Sequence, residues 1–282
     1  MTVPSEPPRP AISVCVAVYR HHDAPTVADL ARSIPAALDG LEGELIVTLN
    51  GIDAEQLDLA ADVVTVPLET NHGVAIGWNR AASVARGEVV CFVNDDLVLG
   101  PRALRLLVEA LRAHPDAAVV GPRGALWNID AARHTTYVTT AHRPPGDVVE
   151  CDMVSGFCFA VRRDVFEQIG GIDEAYTPCG FEEIDLCTAV RADAGRRVLA
   201  VAGVEFRHEF AISAADPRTV VRYLGKAETL SSIERRNRAH FLGKWRGRGI
   251  TSVPVAEADI APGPARWKVV ANRWRRRVRS LR

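Results

Sequence analysis

Two acidic clusters and one histidine hold the side chains whose types and spacing could do chemistry. "CFVNDDLVLG" (91–100) ends an apolar run on Asn94, Asp95 and Asp96. Adjacent carboxylates repel unless water or a cation offsets them, so the stretch reads as an exposed turn or as half of a metal site. "GFEEIDLC" (180–187) sets Glu182, Glu183 and Asp185 at a helix start, where acids also serve simply to complement the helix dipole. His208 in "FRHEF" is a candidate ligand or a hydrogen-bonded residue at a strand end.

The elements that must position these groups alternate along the chain. β-type runs at 11–18, 44–49, 62–67, 88–94 and 117–122 are separated by helical patterns at about 25–38, 54–60, 74–86 and 101–113. That alternation predicts an α/β fold with a mostly parallel sheet covered on both faces. Pro25 and Pro101 suit first helical turns, and Gly87 suits a helix C-cap. Residues 123–150 lose the pattern, with "TTYVTT" as one strand candidate. Beyond them come a strand within "CDMVSGFCFAVRR" (151–163), short and longer helices near 164–169 and 181–194, a β-type run over 197–208 and a helix over about 217–242.

Ligands of a parallel sheet bind outside the carboxyl ends of its strands. Tyr19 and Arg20 end the first strand, Asn50 the second, and Asn94, Asp95 and Asp96 the fourth. Asn71 and Gly73 open a helix whose backbone N–H groups could face an anion, with Asn79 and Arg80 further along it. The set suits a phosphorylated ligand with a divalent cation.

Composition narrows the classes. Of the 282 residues 48% are hydrophobic, ample for a packed core, and the formal charge of −1 gives the whole molecule no bias toward nucleic acid or membrane. Six scattered cysteines without a CxxC pair predict reduced, buried thiols in a cytoplasmic protein. Residues 1–10 are Pro-rich and read as a disordered lead-in, and no window has the apolar length of a membrane span. The exception to the charge balance is 266–282, with eight cations, no acid, and Trp267, Val270, Trp274, Val278 and Leu281 spaced by three or four. Such a helix would lie on an anionic membrane surface, pack on its own domain, or contact RNA nonspecifically. A dehydrogenase or a sugar-nucleotide pyrophosphorylase would need a Gly-rich turn after the first strand, and "VYRHHDAP" has no glycine.

In order, "SVCVAVYR", "LIVTLNG", "NHGVAIGWNRA", "CFVNDDLVL", "VSGFCFAVRRDVFEQIGGIDEAY", "GFEEIDLC", "FRHEF" and "RRNRAHFLGKW" resemble the family 2 glycosyltransferases of GT-A fold, and among them the bacterial rhamnosyl- and galactofuranosyltransferase-like members. The resemblance implies a GT-A domain over 11–248, followed over 249–282 by a linker and the basic helix. It implies an inverting enzyme that uses Mg2+ or Mn2+ to move a sugar from a UDP- or dTDP-sugar to a hydroxyl of a glycan, lipid-linked or small-molecule acceptor. Asp96 and His208 would hold the metal, with Asn94 in the first place of the metal motif and Asp95 beside the sugar or ribose. Tyr19 and Arg20 would hold the base and ribose, and Ser155 and Gly156 would line the donor-sugar or acceptor pocket. Glu183 falls at the family's catalytic base, with Glu182 and Asp185 as its rivals. Leu49 stands where the family usually has a uracil-reading Asp, which leaves Asn50 to bond the base. Trp78 is expected to pack in the core and Trp127 could stack on a sugar. The same departures also fit a catalytically degenerate module that binds a sugar nucleotide without turning it over.

Overall fold

The structure, a computed structural model, describes residues 9–19, 26–208 and 216–262. Three apolar runs, β1 (Ile12–Val18), β2 (Gly43–Asn50) and β3 (Val64–Leu68), pair in parallel, with α1 (Val27–Leu38) between the first two. A reciprocal cap starts α1: Thr26 Oγ1 accepts from the Asp29 N–H at 3.3 Å, and Asp29 Oδ2 accepts from the Thr26 N–H at 2.8 Å. α2 (Val74–Val84) then leads to β4 (Val89–Val93), which pairs with β1 in parallel. Short β5 (Leu97–Leu99), α3 (Ala103–Ala113) and β6 (Ala117–Gly121) follow.

The stretch that looked irregular in sequence folds as an antiparallel hairpin of β7 (Gly124–Asn128) and β8 (Arg133–Tyr137), then β9 (Val148–Glu150) and β10 (Met153–Val154). β11 (Cys158–Arg162), α4 (Arg163–Gln168), α5 (Glu182–Ala192) and β12 (Arg197–Val201) complete the main body. β13 (Phe206–His208) is separate from β12, so the single run expected over 197–208 is two strands in different sheets.

The eight-stranded sheet has the order β3-β2-β1-β4-β11-β6-β12-β9. β11 runs antiparallel to both β4 and β6, with Cys158 opposite Val93. Its first residues, and not its last, therefore lie at the carboxyl end of β4, which delivers Ser155 and Gly156 to the same edge as Asn94. Side chains alternate across the sheet. Val90 and Phe92 join a core with α2 and α5, while Cys91 and Val93 join one with α1 and α3. The six cysteines are free, and all but Cys179 are buried.

The helix expected from 217 begins only at Leu230. Before it, β14 (Val220–Tyr223) and β15 (Lys226–Thr229) form a hairpin whose two-residue turn, Leu224 and Gly225, has φ of 44° and 72°. Two positive φ values in a two-residue loop match the twist of the flanking strands, and the β-branched run before the turn favours extension. α6 (Leu230–Trp245) starts where Thr229 Oγ1 accepts from the Ser232 N–H at 3.3 Å. Two smaller expectations also change. Pro101 precedes α3 instead of entering its first turn, and Gly87, well past the end of α2, lies against β1 with its N–H on Ser13 Oγ at 2.7 Å. Pro25 lies outside the described residues.

Residues 249–262, expected to begin a linker, run across the domain as a strap. The Val253 N–H and Ser252 Oγ both donate to buried Asp152, Asp259 pairs with Arg143 at 2.8 Å, and Ile260 bridges to Val138. Among the described residues no helix is long and apolar enough to cross a membrane.

Candidate active site

The end of β4 and the start of β5 form one polar corner. Antiparallel pairing of β5 with β13 sets His208 opposite Leu97 and thereby beside Asp96. His208 Nε2 lies 2.8 Å from Asp96 Oδ1 and 3.3 Å from the Asn94 amide nitrogen. The Asn94 N–H donates to Phe157 O at 2.9 Å, and the Phe157 ring packs 5.0 Å from the imidazole, so the histidine is held on two sides. Asp96 is buried, and Asp95 is half-buried next to it. Among the described residues no three His, Cys, Asp or Glu side chains gather as a metal site. A carboxylate, an imidazole and an amide at one corner do fit a hard divalent cation that takes its remaining ligands from water and substrate phosphates.

The second acidic cluster opens α5, and its three members part company. Glu183 is half-buried and packs against Gly156, where a Cβ would stand 2.9 Å from Glu183 Cδ. Any side chain at 156 would displace that carboxylate. Burial raises the pKa of Glu183, while N–H groups of its own residue, Gly156 and Ile184 act to lower it. Glu182 is more enclosed: burial, and secondarily the charge of Glu183, push its carboxyl up to about 8, and its Oε1 has no hydrogen-bond partner. Asp185 turns inward instead. It accepts from Tyr176 OH at 2.9 Å, Lys244 Nζ at 2.7 Å and Trp245 Nε1 at 2.5 Å, fastening α5 to α6.

A cavity of about 630 Å³ joins the two clusters. Asn94, His208, Ser155, Gly156, Glu182 and Glu183 all line it. Arg123, Trp127, His134 and Tyr137, on and beside the β7–β8 hairpin, line it as well, with the Ser155 N–H donating to Arg123 O at 2.9 Å, and α6 adds Glu234. Trp127 is 9% exposed and packs edge-on against Phe181 and Phe241, while Trp78 is 3% exposed and packs on Phe92 and Phe159.

Other candidates are placed elsewhere. Two N–H groups at the start of α2 are already taken: Gly73 donates to Asn71 Oδ1 at 2.9 Å and Val74 donates to Pro178 O at 2.7 Å. The Pro178 backbone lies so close to Gly73, whose φ is 85°, that a Cβ there would meet it at 2.5 Å. A part of the chain distant in sequence thus packs directly on the helix start that was expected to face an anion. Asn50 is spent on the same loop, donating to Asn71 Oδ1 and Gly73 O and accepting from the His72 N–H at 2.7 Å. Asn71 also donates to Arg222 O, which ties this loop to the β14–β15 hairpin. Asn79 clasps Ile172 through both its amide atoms and also donates to Glu174, while Arg80 is exposed on the surface of α2. Tyr19 follows β1 with 39% of its surface exposed. Arg20 and the basic stretch 266–282 lie outside the described residues.

Sequence reasoning passed over Arg123, His134, Tyr137 and Glu234 as cavity residues, and Asp152 as a hub. Asp152 accepts from the Trp127 N–H at 2.8 Å and pairs with Arg191 at 2.9 Å, besides holding the strap. Only the acid directly after a buried cysteine in "CDMV" hinted at it.

A family model described as Glycosyl transferase family 2 matches residues 13–170, more than half of the chain. The chain is 28% identical over 158 residues to an uncharacterized protein, y4gI, of Sinorhizobium fredii, covering 47% of this chain and 16% of that protein. It is 24% identical over 210 residues to the glucosyl-dolichyl phosphate glucuronosyltransferase of Haloferax volcanii, covering 67% of this chain and 66% of that one. It thus spans less than two thirds of the length of either relative. A crystal structure of GalNAc-T7 with UDP, GalNAc and Mn2+ superposes with a TM-score of 0.59 at 14% identity, over 81% of this chain and 47% of that chain. The likeness is one of fold, and the GT-A architecture expected from the sequence is the one the chain has.

Proposed function

From the premise that this chain belongs to glycosyl transferase family 2, we propose that it transfers a sugar with inversion from a UDP- or dTDP-sugar to an acceptor hydroxyl, with Mg2+ or Mn2+ bound. The observation that carries the reading is the shared cavity: Asn94 and His208 line one side of it and Glu183 another. Asp96 and His208 would hold the cation, which when bound stabilises the negative charge that develops on the departing diphosphate. Glu183 takes the proton of the acceptor hydroxyl as its oxygen attacks the anomeric carbon. The carbon–oxygen bond to the diphosphate breaks on the opposite face, and the nucleoside diphosphate leaves with the bonding pair. A carboxylate whose pKa is raised by burial is a better proton acceptor near neutral pH than an exposed one. Glu182, pushed up to about 8, keeps its own proton at that pH and suits a hydrogen-bond donor role. Asp185 is set aside as the base because three protein donors already occupy it.

The donor class agrees with the UDP, GalNAc and Mn2+ held by the solved structure of similar fold, and a lipid-linked acceptor agrees with the name of the haloarchaeal relative. The acceptor class otherwise stays with glycans, lipid-linked glycans and small molecules. The test is a thermal-shift panel of UDP, dTDP and GDP with their sugars, with and without Mn2+, followed by turnover. A Mn2+-dependent rise with UDP or dTDP and release of the nucleoside diphosphate are expected. Binding without any turnover under every acceptor tried would favour the degenerate binding module, and a response confined to NAD(P) would overturn both.

A further inference from the structure

The wall of the cavity formed around β7 and β8 is not used by the transfer step as proposed, yet it is built of groups that bind ligands. Arg123 is exposed, and its guanidinium lies 4.2 Å from the centroid of the Tyr137 ring. Its side chain has no hydrogen bond or ion pair with any described residue. Stacking on an aromatic face orders the planar fork while leaving its N–H edge outward, the arrangement that binds carboxylates and phosphates in two-point fashion. The His134 ring stands 4.2 Å from the Tyr137 ring as well. His134 Nε2 and Trp127 Nε1 are both buried without a hydrogen-bond partner, although both residues line the cavity. Unmet buried polar atoms are rare in folded proteins and ask for a reason.

Charge sets the orientation. Arg123 is the only Lys or Arg among the described residues that line the cavity, whereas three of the others, Glu182, Glu183 and Glu234, are acids. Apart from the place that the cation would give the donor diphosphate, an anion in the cavity therefore finds its cationic partner at the hairpin.

We propose that the hairpin wall is the acceptor subsite, and that the acceptor carries an oxyanion, a phosphate or a carboxylate, gripped by the Arg123 guanidinium with its sugar against Tyr137, His134 and Trp127. The inference rests on the transferase reading above and narrows its acceptor class. It assigns Arg123 to acceptor recognition and not to the donor diphosphate, so the acceptor hydroxyl is presented toward Glu183 from an anchored, charged end. Burial, and secondarily the charge of Arg123, hold the His134 pKa below its ordinary value. A bound anion nearby moves it back up, which gives the subsite a spectroscopic reporter.

The experiment uses the full chain with Mn2+ and UDP, titrated with glucose 1-phosphate, glucuronic acid, methyl glucoside and inorganic phosphate, while NMR follows the His134 ring. The two anionic sugars are expected to bind at least about tenfold more tightly than methyl glucoside and to raise the His134 pKa. R123Q should abolish that preference and leave UDP–Mn2+ affinity within about twofold, since an exposed side chain is removed. R123K, which keeps the charge but not the fork, should recover only part of it. Equal binding of methyl glucoside, a match by inorganic phosphate alone, or a loss of UDP affinity in R123Q would each overturn the proposal. Failure of UDP to bind the unaltered chain would count against the transferase reading alone, because the Arg123-dependent response to glucose 1-phosphate is read separately. A farnesyl phosphoglucose in detergent micelles separates the sources. Tighter binding than glucose 1-phosphate assigns a lipid-linked acceptor and weaker binding a soluble one, and loss of the Arg123 requirement in both overturns the subsite.

Discussion

The NDD turn after β4 and the EEID start of α5 are both short acidic stretches, yet the fold treats them in opposite ways. At the turn, Asp96 meets the His208 imidazole, which also meets the Asn94 amide, and Asn94 and His208 line the cavity. At the helix start, one acid is bound by three donors, one is enclosed with an unpartnered oxygen, and one rests against a glycine beside open space. Carboxylates so placed differ in proton affinity and in what they can touch, so position and not residue type assigns the work.

Substitutions can break that contrast. The largest effect is expected from Asp96→Ala, which should lower sugar-nucleotide turnover by about a thousandfold and remove the Mn2+-dependent thermal shift. Turnover unchanged in this variant would detach the corner from the chemistry. Glu183→Gln should lower kcat by about a hundredfold with nucleotide affinity retained, measured by single-turnover kinetics and titration. A full loss from Glu182→Gln with Glu183→Gln still active would exchange their roles.

Asp185→Ala should act on stability instead, costing about 3 kcal/mol in urea denaturation, because Lys244 and two further donors lose a buried partner. The smallest effect is a slope. Burial moves the Glu182 carboxyl from an ordinary 4.5 to about 8 in the folded chain, so the folded state binds that proton more tightly. Its stabilising share is complete below pH 4.5 and is lost as the pH rises toward 8. Glu182→Gln should therefore flatten the fall of Tm between about pH 5 and pH 8, and an unaltered curve would mean that the carboxyl titrates normally.

Much of this was legible because it is local. Apolar runs, turn residues and the polar ends of β1, β2 and β4 lie next to one another in sequence, and the strands formed where the pattern put them. The start of α2 looked open because its partner, Pro178, is far away in sequence, and no local pattern shows a helix end met from there. Asn50 looked available for the same reason, since its amide is consumed by residues 71–73. Residues 217–229 carry helix-like periodicity, yet a two-residue turn and β-branched neighbours decide for a hairpin. Arg123 went unnoticed because an arginine in a Gly- and Pro-rich stretch says nothing about the tyrosine that it will cover.

The strap gives the chain a definite point of departure. The Ala261 N–H donates to Tyr137 O at 2.9 Å, so the polypeptide leaves the described domain beside the ring that Arg123 covers. The cation-rich stretch begins at Arg266, a few residues on. Tyr137 thus meets the strap through its carbonyl and Arg123 through its ring, so one residue joins the last described stretch of the chain to the wall of the cavity.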